Sequence, residues 1–183
     1  MVMINDGSGE GNGNAKVNSN NKLEVKAETS PHDRHLANDG KVWSLYFTAT
    51  PTGTNDYIFY IENTGTAELH ITDIRIMCAS ADTFLYEKVS GTESGGTAIT
   101  PSNRNVGSSK IPTATIESGN NITGLTQEDV IFFERCATAN TRYKLNTTSN
   151  IHIPQGGKFA IKAVTGTALT TCVVSLTEDE LDG

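Results

Sequence analysis

Four histidines and three cysteines are the residues of this chain best suited to hold a metal or act as nucleophiles. His32, Asp33 and His35 fall close together in "SPHDRHLANDG". Their spacing suggests a metal, but no fourth ligand is signalled and they read as solvated loop residues. Asp6 and Glu10 alternate with glycines in "NDGSGEGNGN". That approaches calcium-loop spacing but lacks the regular acidic alternation and closing Glu of an EF-hand. His70 and His152 each sit between apolar residues, in "ELHITD" and "NIHIP", which sends them to the polar side of a strand. Cys78, Cys136 and Cys172 are far apart and each lies in or beside an apolar run, "DIRIMC", "IFFERC" and "TTCVVSL". They read as small buried hydrophobes in a reducing compartment. Neither a metal nor a cofactor is expected.

Motifs of catalysis are missing too. A serine nucleophile on an elbow needs G-x-S-x-G, and "GSGEG" is not one, because no strand precedes it. The chain has no phosphate-binding G-x-x-x-x-G-K-[ST] and no C-x-x-C, and "GEGNGN" has neither the strand nor the helix that a dinucleotide requires. Enzymatic activity is not expected. The sequons at Asn121 and Asn146 carry no meaning if the chain folds in a cytoplasm. That is the compartment expected from "MVMINDGSGEGNGN", which has neither a cationic start nor an apolar stretch.

The elements that would position any site read as strands. Hydrophobic residues are 36% and charged residues 19% of the 183, and Thr, Asn, Ser and Gly fill the difference. Those types favour strands and turns over helix interiors. The net charge is −7 and the 14 Lys and Arg are scattered without a basic stripe, so neither nucleic acid nor an anionic membrane is an expected partner.

Residues 1–15 form an expected flexible arm. One β-sandwich domain is expected over 16–178, with an acidic tail at 179–183. Leu23, Val25 and Ala27 alternate with charged residues as a half-buried strand. "SPHDRHLANDG" reads as a loop. In "KVWSLYFTATP", Trp43, Leu45, Phe47 and Ala49 share one face, and Val42, Ser44, Tyr46 and Thr48 the other. "YIFYIEN" is apolar on both faces and therefore central. Asn63-Thr64-Gly65 reads as a connector tolerant of left-handed backbone. In "ELHITDIRIM" the apolar phase switches from Leu69 and Ile71 to Ile74 and Ile76, which predicts a β-bulge or bend at Thr72-Asp73.

"DTFLYEKVSG" continues as a strand, and 91–124 is a polar excursion holding short strands in "TAIT" and "TATIE". "DVIFFERC" is read as a strand in preference to a helix capped at Thr126. "SNIHI", "KFAIKAV" and "LTTCVVSL" close the domain, with Phe159, Ile161 and Ala163 on one face, and Cys172, Val174 and Leu176 on another. The sum is an all-β chain of about eight to ten short strands, an antiparallel β-sandwich with the jelly roll among its forms.

The segment "VWSLYFTATPTGTNDYIFYIENTGTAELHITDIRI", with "TAITPSNRNVGSSKIPTATIESGNNITG" and "IHIPQGGKFAIKAVTGTA", resembles virion structural proteins of tailed bacteriophages. The likeness covers most of 16–176 and rests on turn chemistry. Within that group the chain is similar to head decoration (cement) proteins. The resemblance implies a protein on the capsid exterior that binds the major capsid protein, reinforces joints between its subunits and forms a homo-oligomer, a dimer or trimer. The alternative is a tail, adaptor or head-fibre component, with or without host-glycan binding. The expected contact residues are Lys16, Asn18, Asn20 and Lys22 in the arm, and Asn103, Arg104, Asn105 and Lys110 in the excursion.

Overall fold

A computed structural model of the protein describes residues 16–17, 23–24, 32–145 and 151–179. The chain divides into two compact units, Met1–Pro31 and His32–Gly183. In the first, β1 (Lys16–Val17) pairs antiparallel with β2 (Leu23–Glu24), Lys16 opposite Glu24 and Val17 opposite Leu23. The rest of the alternation through Ala27 lies outside the described residues, as do the arm 1–15, Asn18, Asn20, Lys22 and the last four residues, 180–183.

The second unit opens with α1 (His32–Asn38) where polar composition predicts a loop. Leu36, which is buried, anchors the helix. Asn38-Asp39-Gly40, which reads as loop punctuation, is the helix stop: Gly40 has φ +71°, and Lys41 N–H donates back to the Leu36 carbonyl at 2.7 Å. This is the one correction to an otherwise all-β reading among the described residues. His35 is exposed in the last turn.

The strands that follow are β3 (Val42–Ala49), β4 (Asp56–Asn63), β5 (Glu68–Cys78), β6 (Asp82–Ser94), β7 (Thr97–Ala98), β8 (Ser102–Asn103), β9 (Ala114–Cys136), β10 (Arg142–Leu145), β11 (Ile151–Ile153), β12 (Lys158–Ala163) and β13 (Thr170–Asp179). They form two sheets. One has the order β10-β5-β13-β3-β8, with β11 also on β5; the other has the order β4-β12-β6-β9-β7. The partners nest: β3 lies beside β13, β4 beside β12, β5 beside β10 and β11, and β6 beside β9. A long antiparallel hairpin rolled over itself, with its limbs dealt alternately to two sheets, is a jelly roll.

The core lies between the sheets. Trp43, Leu45, Phe47 and Ala49 point into it from β3, and Tyr46 and Thr48 point out, as the alternation predicts. Phe47 and Phe59 stack across the sheets at 5.2 Å between ring centroids. On β5 the pairing skips Thr72: Asp73 faces Ser175 while Ile71 faces Leu176. That extra residue is the predicted bulge, and it lets Leu69 and Ile71, then Ile74 and Ile76, all enter one core. β4 is central, with β12 on one side and β9 on the other.

The length of β9 has no precedent in the sequence pattern. Its first part pairs with β4 (Asn63↔Ala114 to Tyr57↔Ile122), and its second part with β6 (Ser94↔Thr123 to Asp82↔Cys136). The ring β4-β12-β6-β9 therefore closes on itself. It encloses a second, smaller cluster of Tyr57, Tyr60, Val89, Ile122 and Ala160 on the side away from the main core.

Candidate functional site

The turn Asn63-Thr64-Gly65 is a structural joint. Asn63 is buried, and its amide donates to the carbonyls of Ala67 and Ile153, both at 2.8 Å, while its side-chain oxygen accepts from Gly65 N–H at 3.0 Å. Gly65 is not among the left-handed glycines. What it supplies is room, since a Cβ there would come within 2.9 Å of the Thr113 Cβ.

The excursion is drawn into both sheets through β7, β8 and the start of β9. Asn103 donates to the carbonyls of Gly40 (2.8 Å) and Lys110 (3.0 Å), and accepts from Asn105 N–H (2.9 Å). Asn105 donates to the Asn38 carbonyl at 2.9 Å. The Lys110 carbonyl also accepts from the Trp43 indole N–H at 2.9 Å. The two asparagines thus hold the loop to the sandwich. The Lys110 side chain stays exposed, as does Val106 at 98%.

Arg104 lies on the outer face of the six-stranded sheet. It donates to the hydroxyls of Ser44 (3.0 Å) and Ser175 (2.6 Å). Cross-strand register puts Tyr46, Val173, Arg75 and Lys144 in the next row, and Thr48, Thr171, Met77 and Arg142 beyond it. A shallow groove runs between Arg75, Met77, Arg142, Thr171 and Val173. Of the 14 Lys and Arg, Arg75, Arg104, Arg142 and Lys144 therefore share one face. Asp73 is their acidic partner, with its carboxylate 2.6 Å from Arg75 Nε and 3.6 Å from Lys144 Nζ. Positions scattered in sequence make a cationic face with an exposed tyrosine, Tyr46, at 65%. Only strand register reveals it.

A different surface lies on β9. Val130, Ile131, Phe132 and Phe133 are consecutive and all exposed, Phe133 to 71%. Successive strand residues face opposite sides, so both sides of β9 are open here. Over this stretch β6 pairs with one edge of β9, and among the described residues no strand pairs with the other. Soluble monomers seldom leave such a strip on an unpaired edge.

Three clusters gather titratable or nucleophilic side chains. Inside the closed ring, Glu87 is fully buried and accepts from the Tyr57 hydroxyl at 2.7 Å. Lys162 Nζ lies 2.9 and 2.8 Å from the two Glu87 oxygens and 3.0 Å from Gln127 Oε1. Burial first, then the bond to Glu87, holds the Tyr57 hydroxyl well above the usual tyrosine range. Every member of this network has its partner.

The three cysteines are free, buried and close together. Burial pushes the Cys172 thiol up. The hydrogen bond with Cys78, then burial, pushes Cys136 up, and the same bond lowers Cys78. The sequence placed all three in the interior but could not pair them. The third cluster joins Glu68, His70 and His152 on the outer face of β5 and β11. The sequence puts both histidines on a polar face, and their meeting again depends on register.

No family model matches the chain, and no curated protein or solved structure matches it.

Proposed function

We propose that the protein is a non-enzymatic structural component of a tailed-phage virion, a decoration (cement) protein on the outside of the head that reinforces joints between major capsid subunits. The observation that carries this reading is the apolar strip Val130–Phe133 on an open strand edge. Such an edge works by adhesion, since its unpaired amides and carbonyls and its side chains are both available to a neighbour.

The strip also suits a second copy of the chain. An antiparallel two-fold pairing centred on Phe132 sets Asp129 of each copy against Arg135 of the other, so opposite charges flank the apolar centre. Two linked copies bind a repeating lattice with avidity, which turns a weak contact into a stable one. The cationic face around Arg75, Arg142 and Lys144 offers the contact with an acidic patch of the shell, beside Arg104 and Lys110. The jelly roll, the turn motifs and the net charge of −7 agree with an outer-shell role.

The test is co-sedimentation with expanded, undecorated heads assembled from the major capsid protein of the same phage. Wild-type protein should pellet with the heads and be dimeric by mass photometry. Ile131→Ser with Phe133→Ser should return it to a monomer and lower head binding. Wild-type protein left in the supernatant beside intact heads overturns the proposal.

A second reading, a tail, adaptor or head-fibre module binding host glycan, is favoured by Tyr46 beside the groove at Arg75 and Arg142. Trp43, Tyr57 and Tyr60 do not serve it, because all three are buried. Binding on a glycan array that is lost in Tyr46→Ala would select this reading.

A further inference from the structure

We propose that Glu68, His70 and His152 form a binding site for a divalent transition-metal ion, zinc foremost, that clamps β11 onto β5. Glu68 and His70 are two positions apart on β5 and so share a face. His152 lies directly opposite His70 in the antiparallel β11–β5 pair. Glu68 Oε2 is 3.5 Å from His70 Nε2 and 3.5 Å from His152 Nδ1, and the three ligand atoms lie within 4.8 Å of one another.

Those separations fit a metal. Zinc binds imidazole nitrogen and carboxylate oxygen at about 2.0–2.2 Å in tetrahedral sites, so neighbouring ligand atoms sit about 3.3–3.5 Å apart. Two edges of such a site are already in place, and closing the third takes only a small approach of the two rings, whose centroids are 4.4 Å apart. Two imidazoles with one carboxylate match zinc and its neighbours among the divalent ions better than calcium or magnesium, which prefer oxygen alone.

The cluster is also accessible. Side-chain exposure is 56% at His152, against 11% at His70 and 20% at Glu68, so an ion enters from solvent onto two ligands held in place by the sheet. With three protein ligands, the fourth position goes to water or to a donor from a docked neighbour. β11 has three residues and pairs only with β5 among the described residues, so a bond through His152 fastens a short edge strand that few hydrogen bonds hold.

The experiment uses the full chain freed of metal with EDTA. Titration with zinc chloride by calorimetry should show a site of one ion per chain and a raised melting temperature, because only the folded register gathers the ligands. Cobalt(II) should give visible ligand-field bands without thiolate charge transfer, which separates this site from the cysteine cluster. His152→Ala, at an exposed position that leaves the fold intact, should lose more than the roughly 10–100-fold in affinity typical of removing a partner one shell further out. Glu68→Gln should weaken binding, and His35→Ala on α1 should leave it unchanged. Equal zinc affinity in wild type and His152→Ala, no uptake by wild type, or a thiolate-to-cobalt band in wild type would each overturn the proposal.

Discussion

Glu87 and Lys162 occupy positions that strand alternation assigns to the outer side of their sheet, opposite Tyr86 and Ile161. From sequence that side belongs to water, and a charge there needs no partner. What buries them is the second pass of β9, which closes the ring over β12 and makes Glu87 fully inaccessible. Once dry, the carboxylate depends on Lys162 and the Tyr57 hydroxyl. Lys162→Met leaves it uncompensated, and breaking a buried pair from one side costs about 3–5 kcal/mol. Chemical denaturation should show that loss, and Glu87→Leu combined with Lys162→Met should recover most of it. His70 and His152 follow the same logic. Each lies on the polar face that its sequence predicts, yet only the pairing of β11 with β5 brings the two rings together. Residue types and faces are local properties and can be read along the chain. Partners across a sheet are not local.

At the scale of elements the same division holds. The bulge at Thr72 is legible because it shifts the apolar phase of β5 itself, and the core of β3 is legible because its alternation is unbroken. α1 is hidden because a seven-residue helix of mostly polar residues around Leu36 offers no periodicity to detect. β9 is hidden because changing partners from β4 to β6 alters no property of its own side chains. The change has a backbone signature instead. Gly91 (φ +96°) and Gly124 (φ +77°) face each other where the ribbon bends, and a Cβ on Gly124 would meet the Thr92 carbonyl oxygen at 2.1 Å. Only glycine tolerates both the dihedral and the contact. Gly124→Ala should destabilise the fold by at least the roughly 1–3 kcal/mol of a strained backbone position. A surface alanine substitution at Thr126, one strand position past Leu125, should change stability little. Comparing their denaturation midpoints isolates the bend.

In the whole of the His32–Gly183 unit, the three thiols sit where both sheets meet. Cys78 is on β5 and Cys172 on β13, both in the sheet with β3, and Cys136 ends β9 in the other. All three are at most 1% exposed, so a reagent reaches them only when the sheets part. The hydrogen bond with Cys78, then burial, raises Cys136, and burial raises Cys172, so both stay protonated thiols while the sheets are closed. The β5–β13 ladder and the core packing also make separate opening of either strand costly. The cysteines should therefore report opening of the entire unit: native protein should react negligibly with a disulfide reagent, and all three chain thiols should react after unfolding. Across a denaturant series, the midpoint of thiol trapping should coincide with the midpoint of β-structure measured by circular dichroism. Reactivity appearing at lower denaturant would mean that an edge opens first. The edge to suspect is β9, whose far side has no partner strand around Phe133 among the described residues and whose Cys136 would then be trapped before Cys172. Repeating the trapping on a dimer joined through Val130–Phe133 should remove any such early phase, because pairing the open edge gives this stretch of β9 a second neighbouring strand.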